Sequence, residues 1–506
     1  MNRARIFGDD GRALLGLAII CLAIFVPICF LTPCYYADDG GYMQMLNYFV
    51  QTGKVDLMRW SQPTAVGLLL PGWLVACTAG SGFVQLDLVG VVFALAALAG
   101  LYTLFRALSL PTTLSFLLVL SIFCFNEITF VTPTFMTDMP FLAYCIWWLV
   151  LTQRILRSTE GVNALDALLW CTLLILALLT RSTGLMALPA LMAAAVLCSN
   201  KRKQLLTLTG LFILSWVISA GVARMLTINP LSFLQTTALK EIFQLHDFAR
   251  FNLRAGAIAT LSVIFAASPV LVAVSGDRKW RLLQFLCAAV CAVAAIYFSY
   301  KGLFQPLEGW LRPVAVVFVA LGAFHLPPVF AEALRNNRSL SIILLVFMAL
   351  GLAVLPIMAH PLVRHVIPAM VSLIALTAIA NKWRVKSAQI IFVLSSLLLI
   401  TNVLKLQQIR MVDYAGLNIA QRLIERGFRP DQIDAGWAWF CHESLKPGVN
   451  EPQSYVERYG SWQRQAKFAV GSKLETSTEA RELIRLPVTN FAFKDVVVLA
   501  LKQFSN

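Results

Sequence analysis

Charged residues are scarce in this sequence, and their scarcity excludes an ordinary soluble protein. Only 13% of the 506 residues are Asp, Glu, Lys or Arg, while 59% are hydrophobic. Soluble domains average about a quarter charged residues. The sequence also lacks low-complexity tracts and repeats of fixed period, which excludes a solenoid. No small-residue cleavage site follows the first apolar run, so we do not expect that run to be a removable signal peptide.

Long apolar runs make up much of the chain. About thirteen of them approach the ~20 residues that a helix needs to cross a bilayer. We predict spans at about residues 12–32, 84–105, 112–126, 138–153, 163–180, 183–198, 205–223, 256–275, 282–299, 312–331, 340–357, 361–380 and 387–404. The expected fold is an all-α polytopic membrane bundle, residues 1–404, followed by a small α+β domain, residues 405–506, with many turns and scattered aromatic residues.

The short loops that carry Lys and Arg predict the orientation of these spans, because cytoplasmic loops are enriched in both residue types. Placing the N-terminus in the cytoplasm also places there Arg106, Arg154, Arg157, Lys201, Arg202, Lys203, Arg278, Lys279, Arg281, Arg335, Arg338, Lys382, Arg384 and Lys386. We expect a multi-pass protein of the cytoplasmic (inner) membrane, with residues 33–83, 127–137 and 405–506 on the extracytoplasmic side. The short apolar stretch Pro63–Ala76 is interpreted as a juxtamembrane helix, because counting it as a span would invert every later loop. The net charge of +15 is then a topology signal and need not indicate nucleic acid.

Cysteine and histidine form no recognisable metal or redox motif. Most of the eleven cysteines lie inside predicted spans, where a thiol behaves as a small apolar residue. Only Cys34, Cys441 and Cys77 are expected outside, where a disulfide is an option that no spacing supports. His360 and His365 are five residues apart, which is not helical metal-ligand spacing. We predict no metal site and no certain cofactor, with a divalent cation left open as an alternative.

Two adjacent carboxylates, Asp38 and Asp39, follow the first predicted span. They repel each other and are costly beside low-dielectric lipid, so a purely structural loop would more easily use neutral polar residues. The apolar residues that follow from Tyr42 repeat at helical spacing and end at Gly53, which predicts an amphipathic helix at the membrane surface. This external segment is either a platform that holds the acidic pair or a linker that rests on the membrane.

A second external loop, residues 126–137, leads into Asp138 at the start of the next span. An Asp at this position can cap free backbone N–H groups, and Pro140 is tolerated in the first turn. Capping is therefore one explanation for Asp138. The other is functional, because Glu127 and Asp138 share the outer face with the acidic pair.

Cations are few on the outer face. Arg181 lies between two apolar runs, where it opposes the topology rule and requires an anionic partner, either a carboxylate or a phosphate. Arg364 and His365 lie at the start of a further outer helix. For this stretch, anion binding by Arg364 is favoured over a metal site.

The order of these elements resembles the GT-C superfamily of membrane glycosyltransferases. Within it the sequence is most similar to the branch of protein O-mannosyltransferases and the bacterial lipid A aminoarabinose transferase. The shared features are the acidic pair after the first span, the long first external loop with juxtamembrane helices, the Thr137-Asp138-Met139-Pro140 start of a span, and a basic turn around Arg181. The likeness covers roughly residues 10–200 in motif detail.

The resemblance implies a transferase that moves a sugar from a polyprenyl-phosphate-linked donor to an acceptor outside the membrane, with inversion. The acceptor would be a lipid, a glycan or a protein of the cell envelope, as in lipopolysaccharide or protein glycosylation. A lipid phosphate leaves as an anion, so one general base and a cation that stabilises the phosphate are sufficient chemistry.

The same resemblance gives roles to individual residues. One of Asp38 and Asp39 would be the general base, with either residue open, and Asp138 would shape the same pocket. Donor-phosphate contacts are implied at Arg181, Arg364 and His365, with support from Tyr42, Glu127 and Gln62. Gln62 stands where relatives commonly carry a Lys before Pro, so that contact would be supplied elsewhere.

A polytopic secondary transporter or a lipid-linked glycan flippase is the alternative, because such proteins are also basic and place charged residues along their pathways. Against it, the acidic groups before residue 140 gather outside the membrane, the external tail is large, and the second half does not repeat the first. A non-catalytic lipid-binding protein is a third interpretation.

Overall fold

The structure is a computed structural model that describes most of the chain. The described residues are 3–34, 38–56, 65–227, 253–274, 278–301, 312–354, 366–380, 383, 386–436, 439, 468–471, 481–490 and 493–502. Sixteen α-helices and four β-strands lie within these ranges.

The helices are α1 (Arg3–Leu31), α2 (Asp39–Thr52), α3 (Val66–Ala79), α4 (Phe83–Ala107), α5 (Thr112–Leu120), α6 (Asn126–Val131), α7 (Asp138–Arg157), α8 (Ala164–Leu178), α9 (Ala187–Leu197), α10 (Arg202–Leu226), α11 (Leu253–Val272), α12 (Arg281–Tyr300), α13 (Arg312–Asn336), α14 (Arg338–Val354), α15 (Ile367–Ala380) and α16 (Ser387–Glu425). The strands are β1 (Ile433–Asp434), β2 (Phe468–Gly471), β3 (Arg481–Asn490) and β4 (Phe493–Lys502).

Apolar helices dominate the described part of the chain. Seven of them are long and apolar enough to cross a membrane, and seven more are apolar but shorter. With α3 set aside as the predicted juxtamembrane helix, the others coincide one to one with the predicted spans. The prediction of an all-α, multi-pass membrane bundle is therefore confirmed.

Close packing in the bundle depends on small residues. Helix α4 packs along α1 and α7. A Cβ atom on Gly100 of α4 would lie 2.7 Å from Ile146 Cγ2 of α7, so only glycine lets the two helices approach this closely. Trp147 of α7 also donates a hydrogen bond from Nε1 to the carbonyl of Ala96, at 2.9 Å. The first half of the bundle is thereby a tightly joined unit.

Basic residues gather at one end of this unit, which we call the basic end. Asp10, near the start of α1, accepts hydrogen bonds from the Tyr102 hydroxyl at 2.6 Å and from Arg106 Nε at 2.9 Å, both near the end of α4. Arg157, at the end of α7, donates to the carbonyl of Ala107. The acidic residues that the sequence singled out lie at the opposite end, which we call the α2 end.

The first predicted external segment folds onto the bundle at the α2 end. Helix α2 ends at Gly53, whose φ of 68° is left-handed and whose N–H donates to the Phe49 carbonyl at 2.8 Å. Two residues later, the Val55 N–H donates to the carbonyl of Leu226 at the end of α10, at 2.9 Å. Helix α2 packs against α3, and α3 packs against α4. The segment is thus anchored at several points.

The C-terminal strands form a four-stranded sheet in the order β1-β2-β4-β3. Strand β1 pairs parallel with β2, and the other two pairings are antiparallel. Helix α16, which is 39 residues long, packs against β2, β3 and β4, with Gly416 facing Val470. The predicted domain boundary between residues 404 and 405 falls within α16, which continues through it. The division into two domains stays a prediction.

Candidate active site

Helix α2 begins at the acidic pair. Asp38 is its N-cap residue, and the Asp38 carbonyl accepts hydrogen bonds from the backbone N–H groups of Gly41 at 3.1 Å and Tyr42 at 3.2 Å. Asp39 is the first helical residue, where a negative charge is favoured by the helix dipole. Asp39 is fully buried, whereas Asp38 is half-buried. The two adjacent carboxylates therefore have different surroundings.

Tyr42 joins the start of α2 to the second acidic loop. The Tyr42 hydroxyl lies 3.4 Å from Thr137 Oγ1, although the two residues are 95 positions apart in the sequence. Thr137 directly precedes Asp138, the first residue of α7. The structure therefore brings together the two acidic segments that the sequence predicted to share one face.

The loop that leads into α7 lies directly on α4, and Gly90 makes this approach possible. A Cβ atom on Gly90 would lie 2.4 Å from the Thr134 carbonyl oxygen and 2.5 Å from the Thr132 carbonyl oxygen. In the same loop, the Phe135 ring lies against Gly72 of α3, where a Cβ atom would be 2.5 Å from the ring. Contacts with α3 and α4 therefore fix where α7 begins.

Asp138 and Arg181 form a buried ion pair. Arg181 Nη1 contacts Asp138 Oδ1, and the two side chains are 5% and 1% exposed. The N-cap residue of α7 is Thr137, and Asp138 is the first helical residue. Its carboxylate binds the arginine at the end of α8. Of the two partners left open for Arg181, the structure contains the carboxylate.

The pair has hydrogen-bonding groups that it does not use. Asp138 Oδ2 and Arg181 Nε are buried and have no hydrogen-bond partner among the described residues. Leaving such a group without a partner costs roughly 1–3 kcal/mol, and more for a charged group. A bound ligand is one explanation for buried polar groups of this kind. Arg181 can therefore donate to an anion while Asp138 holds the other side of the guanidinium.

Helix α3 contacts the residues that precede Arg181. Arg181 follows α8 in an extended conformation, with φ of −148° and ψ of 139°. The Gly67 N–H donates to the Leu179 carbonyl at 3.2 Å, and the Tyr144 hydroxyl donates to the Gly67 carbonyl at 3.0 Å. A Cβ atom on Gly67 would lie 2.0 Å from Thr180 Oγ1. The first predicted external segment thus carries the acidic pair and also contacts the residues just before Arg181.

A second buried ion pair, which the sequence analysis missed, lies close to the start of α2. Arg410 Nη2 of α16 lies 2.5 Å from Asp87 Oδ2 of α4, and both side chains are 0% exposed. Arg410 Nη1 donates to the Cys34 carbonyl at 3.3 Å, and the Arg410 charge interacts with Asp39. The missed signal was Asp87, because an ionisable residue inside a predicted span is costly and needs a partner.

The remaining predicted site residues are less informative. Glu127 lies half-buried in the first turn of α6, and α6 packs against α7 and α16. Three residues predicted to contact or support the donor lie outside the described residues: Gln62, Arg364 and His365.

Neither a disulfide nor a metal-binding cluster is seen among the described residues. Cys34 and Cys77 are free thiols, and Cys441 lies outside the described residues. Within the described ranges, no group of three His, Cys, Asp or Glu residues is placed to hold a metal ion. A divalent cation stays an untested alternative.

No family model matches the sequence, and no curated protein matches it. Solved structures with a similar chain path include ArnT from Cupriavidus metallidurans bound to undecaprenyl phosphate, with a TM-score of 0.47 and 10% identity over 96% of this chain and 97% of that chain. They also include ArnT from the same organism in the apo state, with a TM-score of 0.38 and 14% identity over 96% of this chain and 98% of that chain.

Proposed function

We propose that this protein is an integral membrane glycosyltransferase. It transfers a sugar from a polyprenyl-phosphate donor to an acceptor hydroxyl on the extracytoplasmic side, with inversion at the anomeric carbon. The observation that carries the proposal is the convergence of the acidic pair, Tyr42, Asp138 and Arg181 at one end of an apolar helix bundle. Carboxylates and a guanidinium with unused N–H groups, beside lipid, suit a donor that is itself a lipid phosphate.

Asp38 is the better candidate for the general base. A base must come within about 2.6–3.2 Å of the group whose proton it takes. Asp38 is half-buried and can reach a substrate, whereas Asp39 is fully buried and its charge interacts with that of Arg410. When Asp38 takes the acceptor proton, the acceptor oxygen forms a bond to the anomeric carbon as the bond to the phosphate oxygen breaks on the opposite face. This single displacement gives inversion.

Arg181 is the proposed phosphate contact. The leaving lipid phosphate departs as an anion and needs little protonation. Arg181 would donate to it through N–H groups that Asp138 does not use, while Asp138 fixes the orientation of the guanidinium. One base and one fixed cation are then sufficient, and the separated acid and base carboxylates of glycoside hydrolysis are not required.

The transporter alternative is less well supported by the placement of charge. A transport path would place ionisable residues through the depth of the bundle. Asp39, Asp87 and Asp138 instead lie within the first two turns of their helices, at the α2 end. That placement favours chemistry at one membrane surface.

Purified protein in proteoliposomes distinguishes the two functions. The sample is supplied with polyprenyl-phosphate sugars and with lipid, glycan or peptide acceptors, and both sugar transfer and counter-flow of labelled solute are measured. We expect sugar transfer with release of polyprenyl phosphate. Counter-flow without transfer would overturn the proposal.

A further inference from the structure

The ion pair between Asp87 and Arg410 lies beside both segments of the candidate site. Arg410 Nη1 donates to the carbonyl of Cys34, four residues before Asp38. Asp87 also lies one turn before Gly90 on α4, against which the loop that precedes Asp138 packs. The pair therefore lies between the segment that carries the proposed base and the loop that precedes the proposed phosphate site.

A contribution to stability does not by itself explain why Asp87 and Arg410 are charged residues. Both side chains are 0% exposed, so both ions lose their hydration when the protein folds. Buried ion pairs can often be replaced by well-packed apolar residues with little loss of stability, whereas removing one partner is strongly destabilising. What an apolar pair could not supply is the hydrogen bond to Cys34 and a positive charge near Asp39.

Resting on the proposed function, we infer that Arg410 is a positioning residue for the transfer reaction. It holds Cys34 through its carbonyl and the start of α2 through the charge of Asp39, and so determines where Asp38 meets the acceptor. Asp87 holds Arg410 in turn. Asp413, three residues further along α16, also interacts with the Arg410 charge. Helix α16 also packs against the C-terminal sheet.

Cys34 provides a measure of this positioning that needs no substrate. It is 1% exposed, and its thiol donates to the Arg410 carbonyl at 3.7 Å. Burial raises the pKa of the Cys34 thiol, so the reactive thiolate is rare. Alkylation by a maleimide, followed by mass spectrometry of the Cys34 peptide, therefore reports whether the segment has moved.

The test is the double variant Asp87→Leu/Arg410→Met, which removes both charges together and retains apolar bulk. We expect a melting temperature close to that of the wild-type protein and alkylation of Cys34 that is at least tenfold faster. Because a displacement of about 1 Å can lower turnover by about 10²-fold, we expect kcat to fall by about 10- to 100-fold. The KM for the donor should change little, since Arg181 is intact. Arg422→Ala, on an exposed position of the same helix, is the matched control and should change none of these values.

An unchanged kcat in the folded double variant would overturn the inference. So would a lower kcat with Cys34 still protected, because the segment would then not have moved. If the double variant does not fold, Arg410→Lys replaces it, since lysine keeps the charge but lacks the second N–H arm that reaches the Cys34 carbonyl. We expect the same fall in kcat and the same faster alkylation of Cys34. An unchanged kcat, or a Cys34 that stays protected, in Arg410→Lys would overturn the inference. If the wild-type protein transfers no sugar, the proposed function fails. Alkylation of Cys34 alone then decides whether Arg410 positions the segment.

Discussion

Arg181 and Asp138 are 43 positions apart in the sequence, yet they form a buried ion pair that joins the end of α8 to the start of α7. The carboxylate fixes one side of the guanidinium and leaves Nε buried without a partner among the described residues. Arg181 can therefore pair with Asp138 and also contact a donor phosphate. The two roles can be separated by the choice of substitution.

Arg181→Lys tests the functional role, because lysine keeps the charge but loses the planar fork that binds phosphate with two N–H groups. A charge-assisted hydrogen bond is worth about 1.5–3 kcal/mol, so donor binding should weaken by about 10- to 100-fold. The measurement is the Kd for a polyprenyl phosphate, together with the melting temperature. Arg224→Lys, on an exposed position of α10, is the control. Full affinity in the Arg181→Lys variant would exclude Arg181 as the phosphate contact.

Arg181→Ala tests the structural role, because it leaves the buried Asp138 carboxylate without its cation. Breaking a buried pair in this way typically lowers the free energy of unfolding by about 3–5 kcal/mol. The double variant Asp138→Ala/Arg181→Ala should recover part of this loss, since no unpaired charge then stays buried. Denaturant titration of the single and double variants measures the difference. Equal stability of Arg181→Ala and wild type would contradict a buried, energetically coupled pair.

Gly90→Ala should move the loop that precedes α7, because the new Cβ atom would meet two backbone carbonyl oxygens at 2.4 and 2.5 Å. Overpacking of this kind costs about 1–3 kcal/mol. We expect a lower melting temperature and a lower turnover in the same variant. Gly210→Ala is the control, since nothing lies within 4 Å of a Cβ atom there. Unchanged stability and turnover in Gly90→Ala would show that the loop is not held as described.

The proposed orientation places the α2 end outside the cytoplasm. In a cysteine-free background, Lys54→Cys should react with an impermeant maleimide from outside intact spheroplasts, because the position is exposed at the end of α2. A tag after Asn506 should be accessible from the same side. Lys201→Cys should react only after the membrane is permeabilised. Labelling of Lys201→Cys alone in intact spheroplasts would invert the orientation.

Hydrophobic periodicity was sufficient to predict the helices but not their polar partners. The thirteen predicted spans and helix α2 correspond to observed helices because long apolar runs and a terminal glycine act locally. The pairing of Asp87 with Arg410 joins residues 323 positions apart, which no local pattern indicates. Similarly, Asp138 has the sequence of a capping residue, but packing of the loop on Gly90 and Gly72 places its carboxylate beside Arg181.

The predicted boundary at residue 404 shows that composition alone does not locate the end of a helix. Hydropathy falls after residue 404, which predicts the end of the bundle there. The helix nevertheless continues to Glu425, because residues such as Ala415, Ile419 and Leu423 supply a buried face at helical spacing. A fall in hydropathy along the sequence therefore need not mark the end of a helix.

Single-turnover sugar transfer by Asp38→Asn tests the central claim most directly, because asparagine keeps the shape of the side chain but cannot take the acceptor proton. With a polyprenyl-phosphate sugar bound, the rate should fall by about 10²- to 10⁴-fold. Donor binding should be retained, since the proposed phosphate contact is Arg181. Asp39→Asn, measured in parallel, reports on the other carboxylate of the pair. Full transfer rates in both single variants would contradict the account, because neither carboxylate would then be the base.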